Sequence, residues 1–300
     1  MALTLEKHQE KSRVVSAMSA NGHFRISAIK NTNVAREAQT RHNLPEVPAL
    51  LLARALSAAS MLAVFLNGEE RVIIDAVGDG SVSRVNAEAI QVGEVRGFCE
   101  YSPNVEKIHK DNFDSALGPG ILRVMRILYN EPEPFIGIVQ LVRGDISSDL
   151  NYYFAKSEQI FSVALLDADT DENGKIINSC GLIVQAMPGA TEKEKDEIVH
   201  HFSNMDRLTE IIKPKDDLEN VLKNILPWDF TVMKNDRVDF FCRCSKEQFI
   251  EKLLTLNYSD IKEMQELNQN ELVCQYCNTK YYLTDEDFSM LLTTLKAKSN

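Results

Sequence analysis

The chain opens without an apolar run. Met1 to Ala20 are polar and charged, so no secretory signal is expected. It holds no P-loop, no dinucleotide fingerprint, no Gly-x-Ser-x-Gly elbow and no His-Glu-x-x-His helix. The usual signatures of phosphate, nicotinamide, acyl-transfer and metallohydrolase chemistry are therefore missing, and nothing recommends an enzyme. Positive charge is short: a formal net charge of −11 argues against a protein whose main work is gripping phosphate backbones. From Arg237 onward acidic residues outnumber basic ones and no basic–aromatic stripe appears. That disfavours the main alternative for this end of the chain, a zinc ribbon that binds nucleic acid. Only one run, Ala49 to Leu66, is long and apolar. It carries Arg54, Ser57, Ser60 and many alanines, the make-up of a buried helix lying across a sheet, and no membrane association is expected. Histidine is absent from the cysteine-bearing end, so a Cys₃His metal set is not available there.

What is present begins with ordinary globular composition. Three hundred residues, 44% of them hydrophobic, suit a main domain plus one or two smaller units. Gly22 to Ile29 reads as a strand, followed by a helix that Asn33 could cap, and Pro45 and Pro48 precede the long alanine-rich helix. Arg71–Val77, Ser81–Ala89 and Val92–Cys99 read as strands, with a hairpin at Gly78-Asp79-Gly80. Gly120–Leu128 and Phe135–Val142 form another strand pair. Asp145–Gln159 reads as a helix, and Ile160–Leu166 and Ile176–Met187 as strands joined by an acidic loop. Consecutive antiparallel strands with a few packed helices make an α+β domain, residues 1–187.

Composition then shifts. Residues 188–228 are densely charged and arranged as short amphipathic helices. Thr191 and Glu194 form a capping box, and apolar stripes run through Ile198, Phe202 and Met205, then Leu208, Ile211 and Ile212, then Leu218, Leu222 and Ile225. Helices this short depend on docking to a partner surface. Two readings stand side by side here, a stable helical subdomain and a metastable linker.

The last segment, residues 229–300, carries Cys242-Arg-Cys244 and Cys274-Gln-Tyr-Cys277. Each pair can present two thiolates to one ion, and four thiolates in a tetrahedron are a set that Zn²⁺ prefers. Ser245 and Gln248 read as a second capping box, and Thr284 with Asp287 opens a final helix. A unit of this size with few large apolar residues normally needs a staple. Structural zinc contributes about 10–16 kcal/mol of folding free energy, comparable to the whole stability of a small domain. Zinc-bound thiolates are also the form that peroxide or hypochlorite attacks. Oxidation should therefore release the metal and unfold the segment, with the neighbouring amphipathic helices expected to follow.

Other candidates are weaker. The acidic run from Asp167 to Gly174 has Glu172 where a calcium loop needs glycine and Asn178 where it needs a bidentate acid, so it reads as a hairpin connection. His200-His201 reads as a solvated pair, and Cys99 and Cys180 as buried small residues. A thiol–disulfide oxidoreductase built on Cys274-Gln-Tyr-Cys277 would need a preceding βαβ strand that is not found.

The C-x-C … C-x-x-C ending resembles the 33-kDa chaperonin family, redox-regulated heat-shock holdases. Arg41-His42, Gly78-Asp79-Gly80, Val95-Arg96-Gly97, Tyr153-Phe154 with Ser157-Glu158-Gln159, and Gln185-Ala-Met-Pro188-Gly189 fall in the same order. Cys180-Gly181 stands where that family usually has two glycines. The resemblance covers almost the whole chain. With no export signal read, a cytoplasmic setting is expected, and the resemblance implies that Cys242, Cys244, Cys274 and Cys277 bind one Zn²⁺ when reduced. It implies disulfides Cys242–Cys244 and Cys274–Cys277 on oxidation, with zinc leaving. The active form it implies is a homodimer that holds unfolded client proteins under oxidative and heat stress without ATP.

Overall fold

Two antiparallel strands, β1 (Arg13–Ser19) and β2 (Phe24–Lys30), open the fold and are buried on both faces. They lead into α1 (Thr32–His42) and α2 (Glu46–Ala63). α2 is long and apolar enough to cross a membrane by composition, yet 89% of it is buried inside the protein, as the sequence anticipates for a core helix. Strands β3 (Arg71–Gly78), β4 (Val82–Ile90) and β5 (Glu94–Tyr101) form a meander. The turn between β3 and β4 needs its glycines, because a Cβ at Gly78 would meet the Leu117 carbonyl oxygen at 2.0 Å. Strands β6 (Gly120–Ile127) and β7 (Phe135–Gln140) follow, then α3 (Ser147–Tyr153) with a π-type turn, Phe154–Glu158. β8 (Ser162–Thr170) and β9 (Ile176–Ala186) complete the part expected to be the core domain.

Three short helices come next: α4 (Glu192–Ser203), α5 (Leu208–Ile211) and α6 (Leu218–Ile225). The Thr191 capping box forms as anticipated: Thr191 Oγ1 accepts from the Glu194 N–H, and Glu194 accepts from the Thr191 N–H at 2.8 Å. Strands β10 (Phe230–Arg237) and β11 (Asp239–Phe240) precede the cysteine region. It contains α7 (Lys246–Leu253), α8 (Tyr258–Glu266), the hairpin β12 (Glu271–Val273) and β13 (Lys280–Tyr282), and α9 (Asp285–Lys298).

These positions come from a computed structural model that describes residues 11–108, 112 and 114–298. The residues read for an export signal lie partly outside that range. The architecture is α+β and divides into two units, Met1–Phe241 and Cys242–Asn300. The first holds a five-stranded antiparallel sheet, β10-β1-β2-β9-β8, and a six-stranded sheet, β11-β5-β4-β3-β6-β7, antiparallel except where β11 joins β5.

α2 packs against strands of both sheets, so the main core contains Leu51, Leu52, Leu56 and Met61 with Ile29 and Ile183 from one sheet and Val72, Ile74 and Val85 from the other. The opposite face of the five-stranded sheet carries Val15, Ala17, Phe24, Ile26, Ala28, Leu182 and Val184. It is covered by Ile198, Phe202, Leu208, Ile212, Leu218, Leu222 and Ile225 of the three short helices, as a second core. The stripes read from periodicity are therefore docked, and their partner surface is this sheet.

Two strands escape the sequence reading. β1 has both faces buried, so it lacks the polar–apolar alternation that marks a half-buried strand. β10 is an edge strand of mixed polarity whose place is fixed by pairing with β1, more than two hundred residues away in sequence. Residues 229–241, grouped with the cysteine region in the sequence reading, extend the sheets of the first unit.

Candidate metal centre

The four cysteines are delivered by two chain segments of the small unit. Cys242 follows directly on Phe241, and Cys244 directly precedes Ser245, whose hydroxyl accepts from the Gln248 N–H and caps α7. Cys274 and Cys277 occupy the β12–β13 connection. The Cys274 N–H donates to the Thr279 carbonyl at 2.9 Å, and the Asn278 N–H to the Cys274 carbonyl at 2.7 Å. Asn278, at φ 56°, takes the left-handed conformation that an asparagine tolerates and that folds the loop back under its sulfurs. The unit's buried apolar residues are few: Ile261, Leu283, Phe288, Leu291 and Leu295.

All four Sγ atoms lie within 4.8 Å of one another. Cys242 and Cys274 are 3.7 Å apart, and Cys244 and Cys277 are 3.4 Å apart. A tetrahedral ion with metal–sulfur bonds of about 2.3 Å would place its sulfurs about 3.8 Å apart, so the donor set fits one ion of that kind. Cys274 and Cys277 are buried, and Cys242 and Cys244 half-buried. The Tyr281 hydroxyl donates to the Cys244 carbonyl at 2.9 Å and lies 3.2 Å from Cys244 Sγ, and its ring packs on Phe249 at 5.6 Å between centroids. Thr279 Oγ1 lies 3.2 Å from Cys277 Sγ.

The thiols do not share one proton affinity. Burial and the neighbouring Cys242 sulfur push Cys274 up to about 12. Burial acts the same way on Cys277 but is outweighed by the hydroxyl and backbone of Thr279, which with Cys244 and Cys274 bring it down to about 7. Burial raises Cys244, against the pull of Tyr281. One thiolate thus forms readily, while further negative charge in the same small volume is resisted. A divalent cation would relieve that repulsion, and four cysteines so gathered could hold a metal ion.

The remaining candidates lie elsewhere. Among the described residues, the quartet is the one group of three or more metal-ligating side chains within reach of a single ion. Cys99 is on β5 and Cys180 on β9, and burial raises both thiols. His201 Nε2 lies 2.7 Å from the Ile225 carbonyl oxygen, tying α4 to the end of α6, and His200 accompanies Asn204 on the exposed side. Asp167 and Asp169 are in strand β8 rather than in a loop, and both accept hydrogen bonds from Arg207 at 2.8 Å. Sequence reasoning missed this contact. The acidic alternation Asp167-Ala-Asp169 was visible, but nothing local points to a partner some forty residues away.

A family model described as Hsp33 protein matches residues 12–284. The chain is 30% identical over 294 residues to the 33 kDa chaperonin of Desulforamulus reducens, covering 95% of this chain and 98% of that one. It is 33% identical over 273 residues to the 33 kDa chaperonin of Thermotoga petrophila, covering 89% and 93%. Its fold superposes on the crystal structure of the 33 kDa chaperonin (heat shock protein 33 homolog) from Thermotoga maritima with a TM-score of 0.86 at 30% identity, over 96% of this chain and 99% of that one. The Cys₄ cluster, the sheet pair around a buried helix and these matches agree: the chain belongs to the Hsp33 family.

Proposed function

We propose that this protein is a redox-regulated holdase chaperone of the cytoplasm, not an enzyme. In the reduced state it holds one Zn²⁺ on Cys242, Cys244, Cys274 and Cys277; when oxidised it binds unfolded client proteins. The observation that carries the reading is the gathering of four sulfurs within 4.8 Å in a unit with little else to hold it together. When bound, zinc keeps the thiolates deprotonated and ties the two halves of the small unit.

The oxidation balances with a peroxide as acceptor. One thiolate attacks the O–O bond, forming a sulfenic acid and releasing hydroxide. A second thiolate attacks that sulfur, forming the disulfide and releasing the other oxygen as hydroxide. Two thiolates lose two electrons, and the peroxide gains them. All four sulfurs are close enough that proximity does not choose the pairing. Family resemblance favours Cys242–Cys244 and Cys274–Cys277, and peptide mapping of the oxidised protein checks it.

Loss of zinc removes the staple of the small unit, and the linker, residues 188–228, yields after it. Its release uncovers the apolar face of the five-stranded sheet and the stripes that covered it, a broad surface suited to non-specific capture. The active form is a homodimer, with no partnership with nucleic acid or membrane.

The test is light scattering by a thermally unfolding client such as citrate synthase. The reduced, zinc-loaded protein is expected to leave aggregation unchanged. The same protein after peroxide treatment at raised temperature is expected to suppress it, with zinc released in step with thiol loss. Equal suppression by the reduced form overturns the switch.

A further inference from the structure

The linker's apolar stripes explain why it covers the sheet, but not what fixes it there. Apolar contact is tolerant of sliding, whereas α5 is held by a directional polar cluster at the edge strand β8. Asp167 is almost fully buried and accepts from the linker through both carboxylate oxygens. Arg207 Nη2 donates to Oδ1 at 2.8 Å, and the Thr209 hydroxyl and N–H donate to Oδ2 at 2.8 and 3.2 Å. The same Arg207 nitrogen reaches Asp169 at 2.8 Å. From the adjacent strand, buried Asn178 donates through Nδ2 to the carbonyls of Thr209 and Ile212, at 2.9 and 2.7 Å. Behind Asp167 stands Arg54 of the central helix, 3.7 Å away, so the carboxylate joins the permanent core to the linker.

We propose that Asp167, Arg207, Thr209 and Asn178 form a polar latch that keeps the linker seated on the five-stranded sheet, and that opening of this latch sets how readily the covered face is exposed. The inference rests on the chaperone reading for its purpose, and deepens it by naming the residues that regulate exposure. The physical reason is asymmetry. A buried carboxylate with two charge partners is stable only while they are present, and pulling α5 away strands Asp167 and Asn178 without their linker partners. Docking is thereby made closer to all-or-none than the apolar stripes alone would make it.

A native reporter lies beneath the linker. Cys180, on β9, is fully buried in the core formed by the linker helices and the sheet. Cys99 lies on β5, packed against the other core, and serves as the internal control. The experiment uses the full chain, reduced and zinc-loaded, and follows maleimide labelling at each cysteine by peptide mass spectrometry. The Arg207 side chain is 55% exposed, so Arg207→Ala leaves no hole in a core. It is expected to speed labelling of Cys180 by about tenfold, the equivalent of losing one charge-assisted interaction, with zinc content and Cys99 labelling unchanged. Thr209→Val is expected to act in the same direction by a smaller factor, and Arg207→Lys to restore part of the protection.

Wild-type labelling at Cys180 in Arg207→Ala overturns the latch. So does equal acceleration at Cys99, which would mean general loosening. The chaperone reading is judged separately, by light scattering on the same samples. Faster labelling of Cys180 without any suppression of client aggregation leaves the latch standing and sinks the link between linker release and holdase activity.

Discussion

The two units reach stability by different means. The first surrounds a largely apolar helix with two sheets, and Leu51, Leu52, Leu56 and Met61 sit in its core. Among the described residues, the second buries five apolar side chains besides its cysteines and gathers four sulfurs. Burial of apolar surface is insensitive to oxidants, and thiolate–metal bonds are not. In the proposed zinc-bound state the two kinds of cohesion would lie in separate units, with the chemical sensitivity in the smaller one. Within the first unit the contrast recurs on the two faces of the five-stranded sheet. One face is covered by a continuous eighteen-residue helix, the other by three short helices whose outer sides are polar.

The largest test of this contrast is metal removal. Chelation of the reduced protein, or Cys274→Ser, is expected to abolish ordered structure in residues 242–298, because the metal term of about 10–16 kcal/mol exceeds what so small a core supplies. Hydrogen exchange should leave β3, β4 and α2 protected. Retention of protection throughout the small unit after chelation would show that its core suffices and would break the comparison.

Next in size are paired core truncations. Leu56 and Leu222 are both fully buried, one on each side of the five-stranded sheet. Each change to alanine is expected to cost about 2–5 kcal/mol locally. Leu56→Ala should lower the unfolding midpoint of the whole first unit. Leu222→Ala should instead raise exchange across residues 190–226 while the central helix stays protected. Identical exchange maps for the two variants would merge the two faces into one cooperative block.

The smallest effect is set by pH. Glu194 is held down at about 2, from an ordinary 4.5, by the Thr191 backbone N–H first, then by His23 and the Thr191 hydroxyl. A depressed carboxylate stabilises the fold fully above its ordinary value and loses that contribution as pH falls toward the folded one. Docking of α4 should therefore hold from neutral pH to about 4.5 and weaken between there and about 2. Glu194→Gln should remove that acid-limb dependence, seen as residue-level exchange in 192–203. An unchanged acid limb in the variant would assign it to other carboxylates.

Legibility followed the range of the interaction. The capping boxes at Thr191 and Thr284 join residues three apart and are formed, and of the box expected at Ser245 the hydroxyl half, accepting from the Gln248 N–H, is present. The central helix was legible because its apolar run is too long for a strand. The cysteine quartet was legible because C-x-C and C-x-x-C each bring two donors to one place, though only the fold brings the two pairs within 4.8 Å. What failed was long-range. β1 and β10 are defined by each other, with Arg13 opposite Arg237, and neither has a local pattern that announces it. The Asp167–Arg207 contact likewise depends on where α5 lands, which no window of sequence contains.

Strands β10 and β11 have a mechanical consequence. The Phe241 N–H is bonded to the Val95 carbonyl at 2.9 Å, so the residue bearing the first sulfur emerges from a backbone already clamped to the six-stranded sheet. Upstream, the whole of β10 is zipped along β1. Any strain travelling along the polypeptide from a collapsing tail toward the covering helices must therefore unpick two seams in succession, a short parallel stitch and then a longer antiparallel one. For the switch proposed above, these seams would build in a delay between sensing and exposure, its duration set by how quickly an edge strand peels.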